Sequence, residues 1–278
     1  MTDPLVTTEW LAAHLSDPGV RVVDGSWHMA AAERDARAEF EAAHIPGAVF
    51  FDIDEVADRT TDLPHMLPSP AEFAAAVGAL GIGNEHRVVV YDTHGVMSAA
   101  RVWWTFRAFG HDTVAVLDGG VKKWLAEGRP VERGSAAPEP RTFTARPRPE
   151  LVRDLRAMLD NVQTGREQVL DARSAGRFAG IEPEPREGLR GGHIPGSLNV
   201  PVGTLSRPDG TFRPVEELRA AFSGAGLEPD RPVVTSCGSG VTASVLALGL
   251  HRIGRADAAV YDGSWSEWGA RDDTPIER

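Results

Sequence analysis

The stretch TSCGSGVTAS at 235–244 holds the only cysteine of a 278-residue chain. It follows the apolar run PVV and precedes ASVLALGLHRIG, so the thiol stands where a strand gives way, through a glycine-interrupted loop, to a helix starting near Thr242. Such a loop turns successive backbone N–H groups inward as an anion-binding nest, and the helix N-terminus adds partial positive charge. A thiolate at Cys237 is stabilised in that setting, with Gly238, Ser239, Gly240, Val241 and Thr242 lining the cradle. The competing explanation is a small core residue, the commonest fate of a lone cysteine. Two glycines around Ser239 make poor packing material and good close-approach backbone, which favours chemistry. A cysteine phosphatase carries an arginine at the sixth position after its nucleophile, and here that position is Ala243. The short cradle suits a persulfide, Cys–S–S⁻, whose outer sulfur backbone donors can wrap.

The elements that must position this loop recur. VVDGSWHM at 22–29 answers VLDARSAG at 169–176, and AHIPGAVFFDID at 43–54 answers GHIPGSLNVPVG at 192–203. RVVVYDTHGVMSA at 87–99 answers PVVTSCGSGVTAS at 232–244, and AVLDGGVKKW at 115–124 answers AVYDGSWSEW at 259–268. The offset is about 145 residues, so the repeat is a whole domain rather than a solenoid unit. Each copy alternates short β-branched runs with longer helical patterns, which predicts an α/β fold of two tandem domains, each a mostly parallel sheet flanked by helices. SPAEFAAAVGALG at 69–81 has the serine, proline and closing glycine of a capped helix. The expected boundaries are 1–128 for the first domain, 129–149 for a proline-rich linker crossing the surface in extended form, and 150–278 for the second domain.

Duplication supplies an internal control. Residues present in both copies are assigned to the fold: His44 and His193 in HIPG, Asp24 and Asp171 at strand ends, Trp124 and Trp268 in packing. Residues present in one copy are free to be functional. Asp92 stands where Cys237 does, so only the second copy has a thiol, and the first is expected to be catalytically inactive.

A formal charge of -11, from 40 acids against 29 bases, disfavours nucleic acid and anionic membrane surfaces as partners. No segment approaches the ~18 apolar residues of a membrane span, and the N-terminus MTDPLVTTEW has no basic n-region, which gives a cytoplasmic expectation. One cysteine forms no internal disulfide and no Cys-rich zinc site, and neither a metal nor an organic cofactor is expected.

With tandem copies, HIPG in each and CGSGVT in the second, nearly the whole chain resembles the rhodanese superfamily, and within it the two-domain mercaptopyruvate sulfurtransferases. The resemblance implies that Cys237 takes sulfur from 3-mercaptopyruvate, releases pyruvate, and passes the sulfur to cyanide or a thiol acceptor such as thioredoxin. Thiosulfate-specific relatives carry basic residues after the cysteine, whereas Gly238 and Ser239 are neutral. DARSAGRFAGIEPEPREG at 171–188 resembles the family's substrate-gripping stretch and makes Arg177 and Arg186 the carboxylate-binding pair. The first copy has Ala30 opposite Arg177. Against this stands a solvated loop in which Arg186 pairs with Glu182 or Glu187. FFDIDEVADRTTDLPHMLPSP at 50–70 resembles a first-domain segment supplying Asp54 and His65 to a relay with Ser239. Two alternatives stay open: a thiosulfate sulfurtransferase, and a non-enzymatic sulfur-carrier or binding module.

Overall fold

The computed structural model describes residues 3–135 and 137–278. It divides into two compact units, one of Met1–Arg59, Leu67–Pro147 and Arg207–Phe212, the other of Thr60–Met66, Arg148–Ser206 and Arg213–Arg278. Each unit takes in a short segment that lies among the other's residues in the sequence.

Unit 1 runs β1 Leu5–Val6, α1 Thr8–His14, β2 Val20–Asp24, α2 Ala36–Ala42, β3 Val49–Phe50, α3 Pro70–Ala79, β4 Arg87–Tyr91, α4 Ser98–Ala108, β5 Val114–Leu117 and α5 Gly120–Ala126. Unit 2 repeats it: β6 Val152–Arg153, α6 Leu155–Thr164, β7 Gln168–Asp171, α7 Ala175–Phe178, β8 Leu198–Asn199, α8 Val215–Gly224, β9 Val233–Ser236, α9 Val241–Arg252, β10 Ala259–Tyr261 and α10 Ser264–Trp268. The sheets have the equivalent orders β1-β5-β4-β2-β3 and β6-β10-β9-β7-β8, all pairs parallel. Strands β4, β5, β7 and β9 are buried at every position but the first of β4, as expected where helices cover both faces of a parallel sheet.

The residues shared by both copies hold the fold. His44 stacks on Phe40 and its Nδ1 bonds Phe40 O at 2.8 Å; His193 stacks on Phe178 and its Nδ1 bonds Phe178 O at 2.9 Å. Trp124 and Trp268 are fully buried and donate from Nε1 to the carbonyls of Pro130 and Pro275. Asp24 and Asp171 differ. Burial pushes Asp24 up to about 6 against the pull of hydrogen bonds from Ser26, whereas Asp171 faces an arginine.

Among its described residues the proline-rich segment has no helix before the 3-10 turn at Pro149–Leu151, but it does not simply cross the surface. Phe143 is buried edge-on against Phe73 at 5.6 Å, and the N–H groups of Arg141 and Arg146 donate to Gly78 O and Phe109 O. The Phe143 ring gains by leaving water, which draws the strap onto unit 1. Ala136 of this segment lies outside the described residues.

At α3, Ser69 Oγ accepts from Glu72 N–H while Glu72 Oε2 accepts from Ser69 N–H at 2.9 Å, a reciprocal cap with Pro70 in the first turn. Ser69→Ala is expected to cost about 1 kcal/mol of unit 1 stability and to leave turnover unchanged. A shift in the denaturant midpoint, with the activity of the folded variant intact, checks this.

Candidate active site

β9 is the central strand of unit 2, where the chain order reverses: β7 neighbours β8 on one side, and β9 neighbours β10 on the other. Open α/β sheets hold ligands outside strand carboxyl ends at such a point. Cys237 follows directly on β9 and is 1% exposed. Asp171 ends β7 in register with Ser236, so the segment after Asp171 emerges beside the cysteine.

The loop backbone is tied to α10. Cys237 N–H donates to Ser264 Oγ at 3.2 Å, and that hydroxyl donates to Tyr261 O at 2.8 Å. Cys237 O accepts from Trp265 N–H at 2.9 Å, and Gly238 O accepts from the N–H and hydroxyl of Ser266 at 2.8 and 2.7 Å. Gly240 caps α9 at φ +79°, a left-handed conformation that glycine adopts without penalty. With its carbonyls occupied on the α10 side, the loop leads into the N-terminus of a twelve-residue helix.

In unit 1 the equivalent loop holds an anion. Asp92 Oδ1 accepts from His94 and Gly95 N–H at 2.8 and 2.7 Å, and Oδ2 from Met97 and Ala99 N–H at 2.7 and 2.8 Å. The chain's own carboxylate sits in the nest as its anion. By the alignment of the copies, those donors correspond to Ser239, Gly240, Thr242 and Ser244. In unit 2 the side chain at the Asp92 position is a thiol, so a charged group at that place has to come from Cys237's own chemistry or from a ligand.

The two arginines converge on the same loop. A methyl group built onto Gly238 would lie 3.2 Å from Arg177 Nη2 and 3.9 Å from Arg186 Nη1. Arg177 is carried by α7, capped by Ser174 and fixed by the stacking of Phe178 on His193. In the same loop Glu182 Oε2 accepts from Ser174 Oγ at 2.7 Å.

Two residues that the motifs did not single out hold this arrangement. Arg173 is fully buried, forks onto Asp171 through Nε at 3.0 Å and Nη2 at 2.7 Å, donates to Gly192 O at 2.8 Å, and lies 4.1 Å over the Trp265 ring. Burial opposes its charge, but Asp171 and Glu184 more than offset this and hold its pKa above the ordinary arginine range. Glu184, its side chain 1% exposed, takes Arg173 Nη1 on Oε1 at 2.7 Å and Arg177 Nη2 on Oε2 at 2.5 Å. The available signal is the duplication: Ser26 stands opposite Arg173 in the first copy.

His65 is buried and belongs to the Thr60–Met66 segment of unit 2; its φ of +61° is a left-handed conformation rare for a non-glycine residue. Asp54 belongs to unit 1, is exposed, and accepts from Trp27 Nε1 at 2.8 Å. Val241 and Thr242 form the first turn of α9, and Ser239 is buried. Among the described residues no cluster of three or more His, Cys, Asp or Glu side chains could hold a metal ion, and no helix is long and apolar enough to cross a membrane.

The chain matches the rhodanese-like domain family twice, over residues 7–127 and 152–271. Human 3-mercaptopyruvate sulfurtransferase is 44% identical over 270 residues, covering 95% of this chain and 91% of the human one. Thiosulfate sulfurtransferase of Cricetulus griseus is 46% identical over 271 residues, with 95% and 91% covered. The crystal structure of SseA from Escherichia coli, described among 3-mercaptopyruvate sulfotransferases, superposes with a TM-score of 0.88 at 40% identity, covering 95% of this chain and 99% of that one. Matched in both halves and along nearly its whole length, with one thiol at the strand end of its second copy, this chain belongs to the rhodanese family.

Proposed function

We propose that this protein is a 3-mercaptopyruvate sulfurtransferase working through a Cys237 persulfide. The observation that carries the proposal is the convergence of Arg177 and Arg186 beside Gly238, next to a buried thiol. Two guanidinium forks suit a carboxylate and set the donor's sulfur against Cys237. The Cys237 thiolate attacks that sulfur, the C–S bond breaks, and its electron pair leaves with carbon as the enolate of pyruvate, which then takes a proton. Ser239, with the His65 and Asp54 that the family resemblance supplies, handles protons in this proposal. The outer sulfur rests among the N–H groups equivalent to those that hold Asp92, until an acceptor thiolate attacks it and restores the Cys237 thiolate. A small protein dithiol or cyanide is the proposed acceptor, and the cytoplasm, which keeps a lone thiol reduced, the proposed place.

Thiosulfate is the second reading, favoured by a thiosulfate sulfurtransferase at 46% identity and disfavoured by the neutral Gly238 and Ser239. The test is single-turnover loading of the reduced protein with either donor, read as one added sulfur in the intact mass together with released pyruvate. Faster loading by 3-mercaptopyruvate supports the proposal, and faster loading by thiosulfate transfers it to the second reading. Arg186→Ala and Ser239→Ala are expected to slow loading by 3-mercaptopyruvate by about 10²-fold and to slow thiosulfate loading less. Equal losses with both donors would remove the substrate assignment.

A further inference from the structure

Arg177 has more than one way to meet a carboxylate, because its stem is flexible and its side chain is 22% exposed. What restrains it is a chain of charges running inward. Glu184 Oε2 takes both Nε, at 3.1 Å, and Nη2 of Arg177, while Oε1 takes Arg173 Nη1. Arg173 in turn is fixed by Asp171 at the end of β7, by the Gly192 carbonyl and by the Trp265 ring. Every link but the outermost is buried, so the strand end dictates where the guanidinium lies. The chain of charges is also balanced, since the two carboxylates of Asp171 and Glu184 face the two guanidinium groups of Arg173 and Arg177.

We propose that Glu184, anchored by Arg173, is a positioning residue that aims Arg177 at a monocarboxylate donor and, by offsetting its charge, keeps the site from favouring a sulfur dianion. The inference rests on the 3-mercaptopyruvate assignment and adds to it a determinant of donor choice. Orientation serves a planar carboxylate held by a fork, while a compact dianion such as thiosulfate gains from positive charge wherever it points.

The test is steady-state turnover of Glu184→Gln with each donor. The expected result is a KM for 3-mercaptopyruvate raised about 10-fold or more, kcat within about twofold, and a KM for thiosulfate unchanged or lowered. In an Arg177→Ala background, Glu184→Gln is expected to add nothing for 3-mercaptopyruvate, because Glu184 acts through that arginine. If Glu184→Gln does not fold, Glu184→Asp keeps a charge facing Arg173, withdraws the contact to Arg177 by one methylene, and is expected to show the same split. Unchanged KM for 3-mercaptopyruvate, parallel losses with both donors, or additive losses in the double variant would overturn the inference while the substrate assignment stands. A wild-type protein that does not turn over 3-mercaptopyruvate removes both.

Discussion

Cys237→Ser is expected to abolish sulfur loading from 3-mercaptopyruvate and from thiosulfate alike, a loss of about 10³-fold or more. The reason is chemical rather than steric. Serine is the smaller side chain and fits a site that is 1% exposed, and the loop hydrogen bonds at Cys237 are made by its backbone, N–H to Ser264 and carbonyl to Trp265. The fold should therefore survive, while a hydroxyl is a far poorer nucleophile toward sulfur than a thiol and forms no stable bond to a sulfane sulfur. Intact mass after mixing with each donor is the measurement. Any added sulfur on Cys237→Ser would show that another group carries it, and the thiol would return to being a packing residue.

Asp92→Ala is expected to be the most destabilising single change in unit 1, at about 3–5 kcal/mol. Its carboxylate accepts from the N–H groups of His94, Gly95, Met97 and Ala99, all at 2.7–2.8 Å, and Asp92 is fully buried. Alanine leaves these donors at the mouth of α4 without their acceptor, and each orphaned buried donor costs on the order of 1–3 kcal/mol before relaxation and water entry. Asp92→Asn keeps one accepting oxygen but turns an amide N–H toward two donors, so it is expected to lose a good part of the same stability. Chemical denaturation followed by tryptophan fluorescence reads this directly, since α4 carries the buried Trp103 and Trp104. A loss below about 1 kcal/mol would mean that the loop is held by its packing and not by its anion, and it would weaken the use of Asp92 as a guide to the persulfide.

A carboxylate fills the first nest, and a thiol stands at the equivalent position of the second. Asp24 and Asp171, equivalent in sequence, differ in their surroundings. Asp24 has Ser26 where Asp171 has Arg173, so burial pushes Asp24 up to about 6, while Asp171 is met by a guanidinium fork.

Much of this protein is legible in its amino-acid sequence. The repeat exposes the two α/β copies because the same strand and helix periods must bury the same faces twice, and HIPG and the two tryptophans mark positions where local hydrogen bonds close the fold. The loop of Cys237 declares itself because glycines adjacent to a thiol at a strand end have few uses besides close backbone approach. Arg177 is identifiable by resemblance and by Ala30 opposite it. The tertiary structure alone decided the rest. Glu184 and Arg173 lie eleven positions apart, across α7 and Pro183, so no spacing rule pairs them; their contact exists because β7 runs beside β9 and turns the following segment back onto Trp265. Phe143 reads as an isolated aromatic in a polar strap until unit 1 supplies Phe73 to receive it. Local propensity and repetition are written in neighbouring residues, whereas the charge chain behind Arg177 depends on which strands lie side by side, and that is settled only when the sheet forms.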